Sequence, residues 1–320
     1  MLLAHDGAMA LRIAVIGLGA WGSTLAALFA RQGHSIQSWS RRDGGHPAAV
    51  LKGADLVLAA TSLAGVEALA PQLAPHWRPD LPLVSCSKGI NLEQQCTASQ
   101  LWQQHQPELP VVVLSGPNLA SELAAGLPAA SVLAGRDSAL TQRLQLALSS
   151  EQLRLYTNDD PIGTEVAGAL KNVMAIAAGV CDGLELGANA KASLLCRGLT
   201  EMAVVLEGLG GRPSSLYGLA GLGDLLATAN SSLSRNHRFG AALASGSTAC
   251  DALAIVGATV EGASTAKAVL ALAQRRGWHL PICTQVVALM DGSVAPHQAV
   301  KQLMERDLRS EAVDAGASHA

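Results

Sequence analysis

The sequence predicts an α/β protein in which a doubly wound parallel sheet is followed by an all-helical domain. Three observations predict this class. A glycine-rich turn at residues 17–22 joins a β-rich run to a helical run. Short apolar runs then alternate with helical or loop segments, as in doubly wound sheets. From about residue 158 long helix-type segments replace them, which predicts domains at residues 1–157 and 158–320.

Six apolar segments, several of them rich in β-branched residues, predict the strands of the N-terminal domain. They are, in chain order, residues 11–17, 35–40, 55–60, 81–86, 110–114 and 130–134. Four longer segments predict helices of the C-terminal domain, at residues 163–182, 187–209, 262–276 and 296–305. Residues 307–320 are expected to be frayed.

The turn between the first strand and the first helix predicts a dinucleotide site of the Rossmann type. Gly17 allows a tight turn, Gly19 lets the backbone approach a pyrophosphate, and Gly22 lets the helix pack closely on the strand. The anion then meets free N–H groups at the helix N-terminus. Residues 13–30 carry no charge, which also fits a membrane span by length. We predict no span, because glycines at turn spacing interrupt any continuous helix.

The end of the second predicted strand bears on the choice of nicotinamide cofactor. Arg41 and Arg42 stand there, and the first acidic residue is Asp43. An acidic side chain at this point would bind the ribose hydroxyls of NAD, whereas a guanidinium accommodates the 2′-phosphate of NADP. The arginines therefore favour or permit NADP. The alternative is that both are solvated surface residues.

Two further segments follow predicted strands at their carboxyl ends. Lys88 comes after the fourth strand, and residues 116–118 come after the fifth. Doubly wound sheets bind their ligands at this edge, so Lys88 and the Gly116–Asn118 backbone are candidates for substrate and cofactor contacts. A loop lysine that is simply solvated is the alternative.

The helical domain contains two isolated charges in apolar surroundings. Lys171 interrupts the apolar segment 165–176, and Asp224 is the single charge in segment 219–226. Burial lowers the pKa of an ammonium toward the range that is useful for proton transfer. The alternatives are that Lys171 extends from a helix edge to solvent and that Asp224 caps a helix. Asp224 is equally well suited to be the counter-charge of Lys171.

A polar turn leads into a later helical segment. Ser234, Arg235 and Asn236 are consecutive there, and each can donate a hydrogen bond to one phosphate group. The N-terminus of the helix adds a partial positive charge. The alternative is ordinary helix capping by Ser234.

Composition indicates a cytoplasmic enzyme that acts on small molecules. The chain has 320 residues, 49% of them hydrophobic, and a net charge of −3, which offers no overall attraction to nucleic acid. Its cysteines never occur at CxxC spacing and its histidines never as HxxxH, so no metal site is predicted. Buried free thiols are expected. A homodimer is expected because symmetric dimers are the commonest oligomers.

The first residues do not resemble an export signal, since they lack a cationic segment and a long apolar core. We interpret them as a disordered leader, and Met9 is a second candidate for the start of translation.

Taken together, these motifs resemble the NAD(P)-dependent glycerol-3-phosphate dehydrogenases, and the bacterial form most closely. The resemblance runs from the glycine turn to about residue 305. The segments that carry it, in the order and spacing of that family, are Lys171-Asn172, Asp182-Gly183, Gly187–Lys191, Arg197–Met202, Gly221–Asp224, Ser234–Gly240 and Val260–Gly262.

The resemblance implies a reversible hydride transfer between dihydroxyacetone phosphate and sn-glycerol 3-phosphate, with NADP or NAD, which feeds phospholipid synthesis. Lys171 matches the general acid/base, and Asp224 matches a residue beside it in the substrate site. The other positions that match substrate contacts are Lys88, Gly116, Asn118, Ser234, Arg235 and Asn236. Those that match cofactor contacts are Gly17, Gly19, Trp21, Gly22, Arg41, Arg42, Lys88, Ala120, Arg235 and Glu261.

The sequence departs from the family at two places. Asn118 stands where a threonine is more frequent, and the segment between Arg42 and Asp55 is shorter than usual. The short segment lacks a helix and a loop that contains Asn and Tyr, so the adenosine edge of the site is expected to be more open. The preference between NAD and NADP stays undecided.

Two other functions are compatible with parts of this pattern. A related dehydrogenase for a hydroxy acid or a sugar acid would keep Lys171 and Asn172 but would not need the cluster at 234–236. A non-catalytic NADP sensor would keep the glycine turn but would not need Lys171.

Overall fold

The computed structural model describes residues 10–306, which form a seven-stranded sheet followed by a helical region. The strands are β1 Arg12–Ile16, β2 Ser35–Trp39, β3 Leu56–Ala59, β4 Leu83–Ser85, β5 Val111–Ser115, β6 Ala129–Ala134 and β7 Leu153–Asn158. Their spatial order is β2-β1-β3-β4-β5-β6-β7.

Five helices connect the strands, and eight follow them. The first five are α1 Ala20–Arg31, α2 Leu63–Leu73, α3 Ala98–His105, α4 Ala120–Ala124 and α5 Ser138–Leu148. The others are α6 Pro161–Gly183, α7 Gly187–Gly208, α8 Asp224–Ala229, α9 Arg235–Ala244, α10 Ala249–Val256, α11 Glu261–Arg276, α12 Pro281–Met290 and α13 Pro296–Met304.

Helices cover both faces of the sheet, which explains why its central strands are largely apolar. On β1, Ala14 and Ile16 belong to one core while Ile13 and Val15 belong to another. All four are fully buried. Strands in such a position cannot alternate between apolar and polar residues, because neither side of the sheet meets water.

The sheet differs from the prediction at its far edge. A seventh strand, β7, was not predicted, and β6 runs antiparallel to β5 instead of parallel to it. The helix in the β5–β6 connection is α4, which has five residues and is about 7.5 Å long. Strand β5 is about twice that length. We attribute the antiparallel direction of β6 to this connection. A parallel strand would have to begin beside the start of β5, and α4 alone is too short to carry the chain back there.

Helix α6 is the centre of the helical region and packs against α7, α8, α9 and α11. Nearly its whole length is buried, because neighbours surround it on all sides. Among residues 10–306 it is the one helix with the length and hydropathy of a membrane span, and 89% of its most apolar window is buried inside the protein. Its apolar character therefore belongs to a domain core.

The other sequence predictions for secondary structure are confirmed, with boundaries shifted by at most two residues. The four predicted helices are α6, α7, α11 and α13. Helix α9 begins where the polar turn was expected to enter a helix, no bounds were predicted for α8, and α10 and α12 were not predicted. The cysteines depart from expectation, because Cys196 and Cys250 are exposed whereas the other four are buried. The tail at 307–320 and the leader at 1–9 lie outside the described residues.

Candidate active site

The glycine turn has the geometry of an anion cradle at the start of α1. Gly17 has φ +95°, and a Cβ there would lie 2.8 Å from the carbonyl oxygen of Ala60. A Cβ on Gly22 would overlap the carbonyl oxygen of Gly17. Gly19 is the N-cap of α1, and nothing lies within 4 Å of the position of its Cβ. The turn therefore fits a dinucleotide pyrophosphate.

Arg41 and Arg42 lie in a turn directly after β2, and both are exposed. The turn is shaped by neighbouring residues: the Ser40 hydroxyl donates to Asp43 at 2.6 Å, and the Trp39 indole N–H donates to the Gly44 carbonyl at 3.0 Å. Two free guanidiniums at the end of β2 suit a phosphate, and their exposure equally fits solvated residues. The geometry leaves both interpretations of these arginines open.

Three further residues that match cofactor contacts lie in the first turns of helices. Trp21 lies in the first turn of α1, half-buried beside the thiol of Cys86. Ala120 begins α4, and its carbonyl oxygen accepts a hydrogen bond from Thr24 at 3.3 Å. Glu261 begins α11 in the helical region.

The centre of the candidate site is one carboxylate between two lysines. Asp224 Oδ1 lies 2.9 Å from Lys171 Nζ, and its Oδ2 lies 2.5 Å from Lys88 Nζ. Lys171 comes from α6, Lys88 from the loop after β4, and Asp224 from the start of α8. The side chains of Lys171 and Asp224 are 9% and 3% exposed. Asp224 is thus the counter-charge of Lys171, and the N-cap position of α8 belongs to Gly223.

Burial and charge shift the ionisation of this cluster in opposite directions. Burial lowers the pKa of Lys171 to about 8, although the adjacent Asp224 carboxylate acts to raise it. Burial alone would raise the pKa of Asp224, but Lys171 and Lys88 outweigh it and lower the value. The result is a permanent carboxylate beside an ammonium whose proton can be exchanged near neutral pH.

The structure adds Thr228 to the site, which the sequence prediction missed. Its hydroxyl oxygen lies 2.6 Å from Lys171 Nζ and 3.1 Å from Asp224 Oδ1, so it accepts from the lysine and donates to the carboxylate. Thr228 is one helical turn after Asp224 on α8. That i, i+4 spacing from an isolated buried acid is the signal that would have found it.

A π-helical turn at Leu219–Gly223 leads into Asp224. Such turns recur at functional sites because they change the direction of the following helix. Here the turn packs against the end of the sheet: the space beside Gly223 is bounded by Pro117, which follows β5. The position of Asp224 between the two lysines therefore depends on contact between the sheet and the helical region.

The loop after β5 is held close to β6. Gly116 has φ +146°, and a Cβ there would lie 3.0 Å from the Cα of Ser131. Asn118 accepts a hydrogen bond from the Ser131 hydroxyl at 2.8 Å. Its amide nitrogen is buried and has no partner among the described residues, so the side chain has an unused donor.

The polar turn at residues 234–236 begins α9, and its three residues behave differently. Ser234 caps the helix by accepting from the His237 N–H at 3.2 Å, as the alternative interpretation predicted. Asn236 is buried; its amide donates to Asn172 at 2.8 Å and accepts from the Gly262 N–H at 3.0 Å. Arg235 is exposed, and its charge lowers the pKa of Glu261, which burial raises overall.

The site thus gathers residues from both regions of the chain at the carboxyl ends of the strands. Asn236 links Asn172, the neighbour of Lys171, to Gly262, the neighbour of Glu261.

A separate cavity of about 690 Å³ between α6, α7, α12 and α13 is lined by none of the predicted site residues. Residues 10–306 hold no group of three His, Cys, Asp or Glu side chains arranged for a metal ion.

Comparison with known proteins identifies relatives along the whole described chain. A family model for the N-terminus of NAD-dependent glycerol-3-phosphate dehydrogenase matches residues 12–46 and 44–141, and one for the C-terminus matches residues 160–301. The glycerol-3-phosphate dehydrogenase (NAD(P)+) of Synechococcus sp. strain RCC307 is 57% identical over 95% of this chain and 100% of its own length.

Solved structures agree with these matches. The crystal structure of glycerol-3-phosphate dehydrogenase from Coxiella burnetii superimposes with a TM-score of 0.88 at 34% identity, covering 93% of this chain and 99% of that one. The yeast glycerol-3-phosphate dehydrogenase, at 20% identity and a TM-score of 0.80, shares the fold over 93% of this chain and 100% of its own.

Proposed function

The chain belongs to the NAD-dependent glycerol-3-phosphate dehydrogenase family, and on that premise we propose that it interconverts dihydroxyacetone phosphate and sn-glycerol 3-phosphate with NADPH or NADH. The observation that carries the proposal is the buried ammonium of Lys171, held at 2.9 Å from Asp224. It supplies a proton donor in a chain that also presents a dinucleotide turn in its N-terminal domain and, at Arg235, an exposed cation at a helix start in its helical domain.

In the proposed mechanism, Lys171 moves the proton. When bound, the nicotinamide supplies the hydride to the ketone carbon. Lys171 Nζ donates a proton to the carbonyl oxygen as it becomes an alkoxide, and in the reverse direction the neutral amine accepts it. Asp224 and Thr228 hold Nζ at 2.9 Å and 2.6 Å, which fixes the direction of its remaining N–H donor. Lys88, at 2.5 Å from the same carboxylate, is placed to contact the substrate.

The start of α9 is proposed to bind the substrate phosphate. Arg235 is an exposed cation in the first turn of the helix, where backbone N–H groups also attract an anion. Ser234 and Asn236 flank it, and both are buried. The Asn236 amide donates one of its two N–H groups to Asn172, so its other N–H and its backbone N–H are the donors proposed for the phosphate. Gly116 and Asn118 complete the proposed substrate site across the loop after β5.

The cofactor is proposed to lie across the carboxyl ends of β1 and β2. Gly17, Gly19 and Gly22 would hold the pyrophosphate, and Arg41 with Arg42 would contact the 2′-phosphate of NADP. The remaining proposed cofactor contacts, whose positions around the site are given above, are Trp21, Lys88, Ala120, Arg235 and Glu261.

We also propose several broader properties of the protein from its family membership. We place the boundary between the dinucleotide-binding and substrate domains at 157/158, next to the end of β7 at Asn158. All six cysteines are free, which fits the reducing cytoplasm. A homodimer and a role in supplying phospholipid synthesis complete the proposal.

A steady-state assay of the purified full chain tests the proposed activity. Oxidation of NADPH and of NADH is followed at 340 nm with dihydroxyacetone phosphate, and separately with unphosphorylated dihydroxyacetone and with 2-oxo acids. We expect turnover with the phosphorylated ketone and very little with the others. Turnover restricted to a 2-oxo acid, or to none of these ketones, would contradict the proposal.

A further inference from the structure

One ionic cluster lies outside the site described above and has no role in the mechanism. Asp182, in the last turn of α6, has a single oxygen, Oδ2, that lies 2.6 Å from Lys191 Nζ and 2.7 Å from His237 Nε2. Lys191 belongs to the first turns of α7, and His237 to the first turn of α9. The cluster therefore joins three helices at one carboxylate.

The location of Asp182 is unfavourable by itself. A carboxylate in the last turn of a helix faces the negative end of the helix dipole, and a lysine near a helix start faces the positive end. Its two partners are nevertheless largely buried against it: the side chains of Lys191 and His237 are 16% and 14% exposed, and that of Asp182 is 40% exposed. Burial acts to raise the pKa of Asp182, but hydrogen bonds from Lys191 and His237 outweigh it and lower the value.

The backbone around His237 lies directly against α6. A Cβ on Gly179 would overlap the carbonyl oxygen of His237, so the first turn of α9 is in van der Waals contact with α6 at this glycine. One turn further along α6, Asp182 reaches the His237 ring. A backbone contact and a side-chain hydrogen bond thus fix the same residue from the same helix.

His237 is two residues after Arg235. Its own backbone N–H donates to the Ser234 hydroxyl at 3.2 Å, which completes the N-cap of α9. Its ring links the same helix to α6. The side chain of Arg235, between these anchors, is exposed and makes no side-chain hydrogen bond to another of residues 10–306, and its charge interacts with that of Glu261.

We propose that Asp182, together with Lys191 and His237, is a positioning cluster that fixes the first turn of α9 so that Arg235 is held for the substrate phosphate. The inference rests on the proposed function at the same site. It assigns none of the three residues to the chemistry, because none of them contacts Lys171 or Asp224 in the structure. Their effect is therefore expected on substrate affinity and not on the rate of hydride transfer.

The test compares substitutions at this cluster with a matched control. Asp182→Asn removes the charge, His237→Ala removes the ring, and His237→Gln keeps an N–H donor. The control is Asp291→Asn, because Asp291 also follows a helix and pairs with a lysine, Lys267, at 3.2 Å, but in a pair that is half-exposed. For each variant we measure kcat and KM for dihydroxyacetone phosphate, KM for NADPH, kcat/KM for dihydroxyacetone, and the affinity for sn-glycerol 3-phosphate by calorimetry.

Asp182→Asn and His237→Ala are expected to raise KM for dihydroxyacetone phosphate by about five- to tenfold. This is less than the effect of deleting a charged hydrogen bond outright, because Arg235 is displaced and not removed. Measured at saturating NADPH, their kcat and their kcat/KM for dihydroxyacetone should stay within about twofold of wild type, since the unphosphorylated ketone makes no phosphate contact. His237→Gln should recover most of the affinity, and Asp291→Asn should leave it unchanged.

Equal losses with both ketones, or an unchanged KM for the phosphorylated one, would overturn the positioning role. Calorimetry separates this failure from failure of the proposed function. Wild type that binds sn-glycerol 3-phosphate without turnover would refute the activity, while weaker binding by Asp182→Asn would still support the cluster. Absence of binding by wild type would overturn both.

Discussion

Replacing Lys171 with methionine removes the proposed proton donor and leaves the rest of the site paired. Methionine has a similar length and suits a side chain that is 9% exposed. Asp224 keeps Lys88 at 2.5 Å and the Thr228 hydroxyl at 3.1 Å, so its carboxylate is not left without a partner. The fold and the affinity for NADPH should therefore be retained.

The expected loss in kcat follows from the role of the group. A positioned general acid contributes about 10²–10⁴-fold to the rate, or about 2.7–5.5 kcal/mol of the barrier. Because the pKa of Lys171 is lowered to about 8, ketone reduction, which needs the ammonium, should fall above about pH 8. Alcohol oxidation needs the neutral amine and should rise toward the same pH.

The assay measures kcat in both directions from about pH 6 to pH 10, with NADPH affinity followed by fluorescence. The methionine variant should show a low rate without the inflection near pH 8. Lys267→Met is the control, because Lys267 is an exposed lysine on α11 that pairs with Asp291. Near-normal turnover in a folded Lys171→Met protein, or an unchanged pH inflection, would show that another group moves the proton.

Three further variants test the cofactor site, the phosphate site and the burial of one carboxyl group. Arg41→Ala combined with Arg42→Ala should weaken NADPH much more than NADH, by about 1.5–3 kcal/mol for each lost charged bond; equal losses would mean that the pair supports the fold or the shared adenosine. Arg235→Ala should lower kcat/KM for dihydroxyacetone phosphate at least about tenfold and harm dihydroxyacetone much less, whereas equal effects would refute the phosphate contact. Burial raises the pKa of Glu165 to about 6 from 4.5. The contribution of its protonated carboxyl to stability is therefore complete below pH 4.5 and is lost as the pH rises through 6. In urea titrations, the free energy of unfolding of wild type should fall by about 2 kcal/mol relative to that of Glu165→Gln over this range.

The fold class was predictable because it depends on local patterns. Gly17, Gly19 and Gly22 mark a strand–turn–helix unit, and the apolar runs around them have the length of strands buried on both faces. The strand β7, by contrast, alternates between buried and exposed residues at Leu153–Asn158 and was missed. The direction of β6 was also missed, since strand direction depends on the path of the connection and not on the residues of the strand.

The identity of the two central groups was also predictable. Lys171 and Asp224 are isolated charges in apolar segments, and an isolated charge can be buried only if it finds a partner. Their pairing was one of several alternatives, because local patterns cannot show whether two residues 53 positions apart in the sequence (224 − 171) come into contact. The structure selected it by placing α6 and α8 side by side.

Local sequence patterns were enough to predict the class of fold, the dinucleotide turn, the family resemblance and the isolated charges of Lys171 and Asp224. The contacts of Lys88 and Thr228 with Asp224, and the link from Asp182 to α9, became visible only in the folded chain. The difference lies in the distance along the sequence over which each interaction acts. Periodicity and turn chemistry act over a few residues, whereas a salt bridge forms between whichever groups the packing of distant helices brings within about 3 Å of each other.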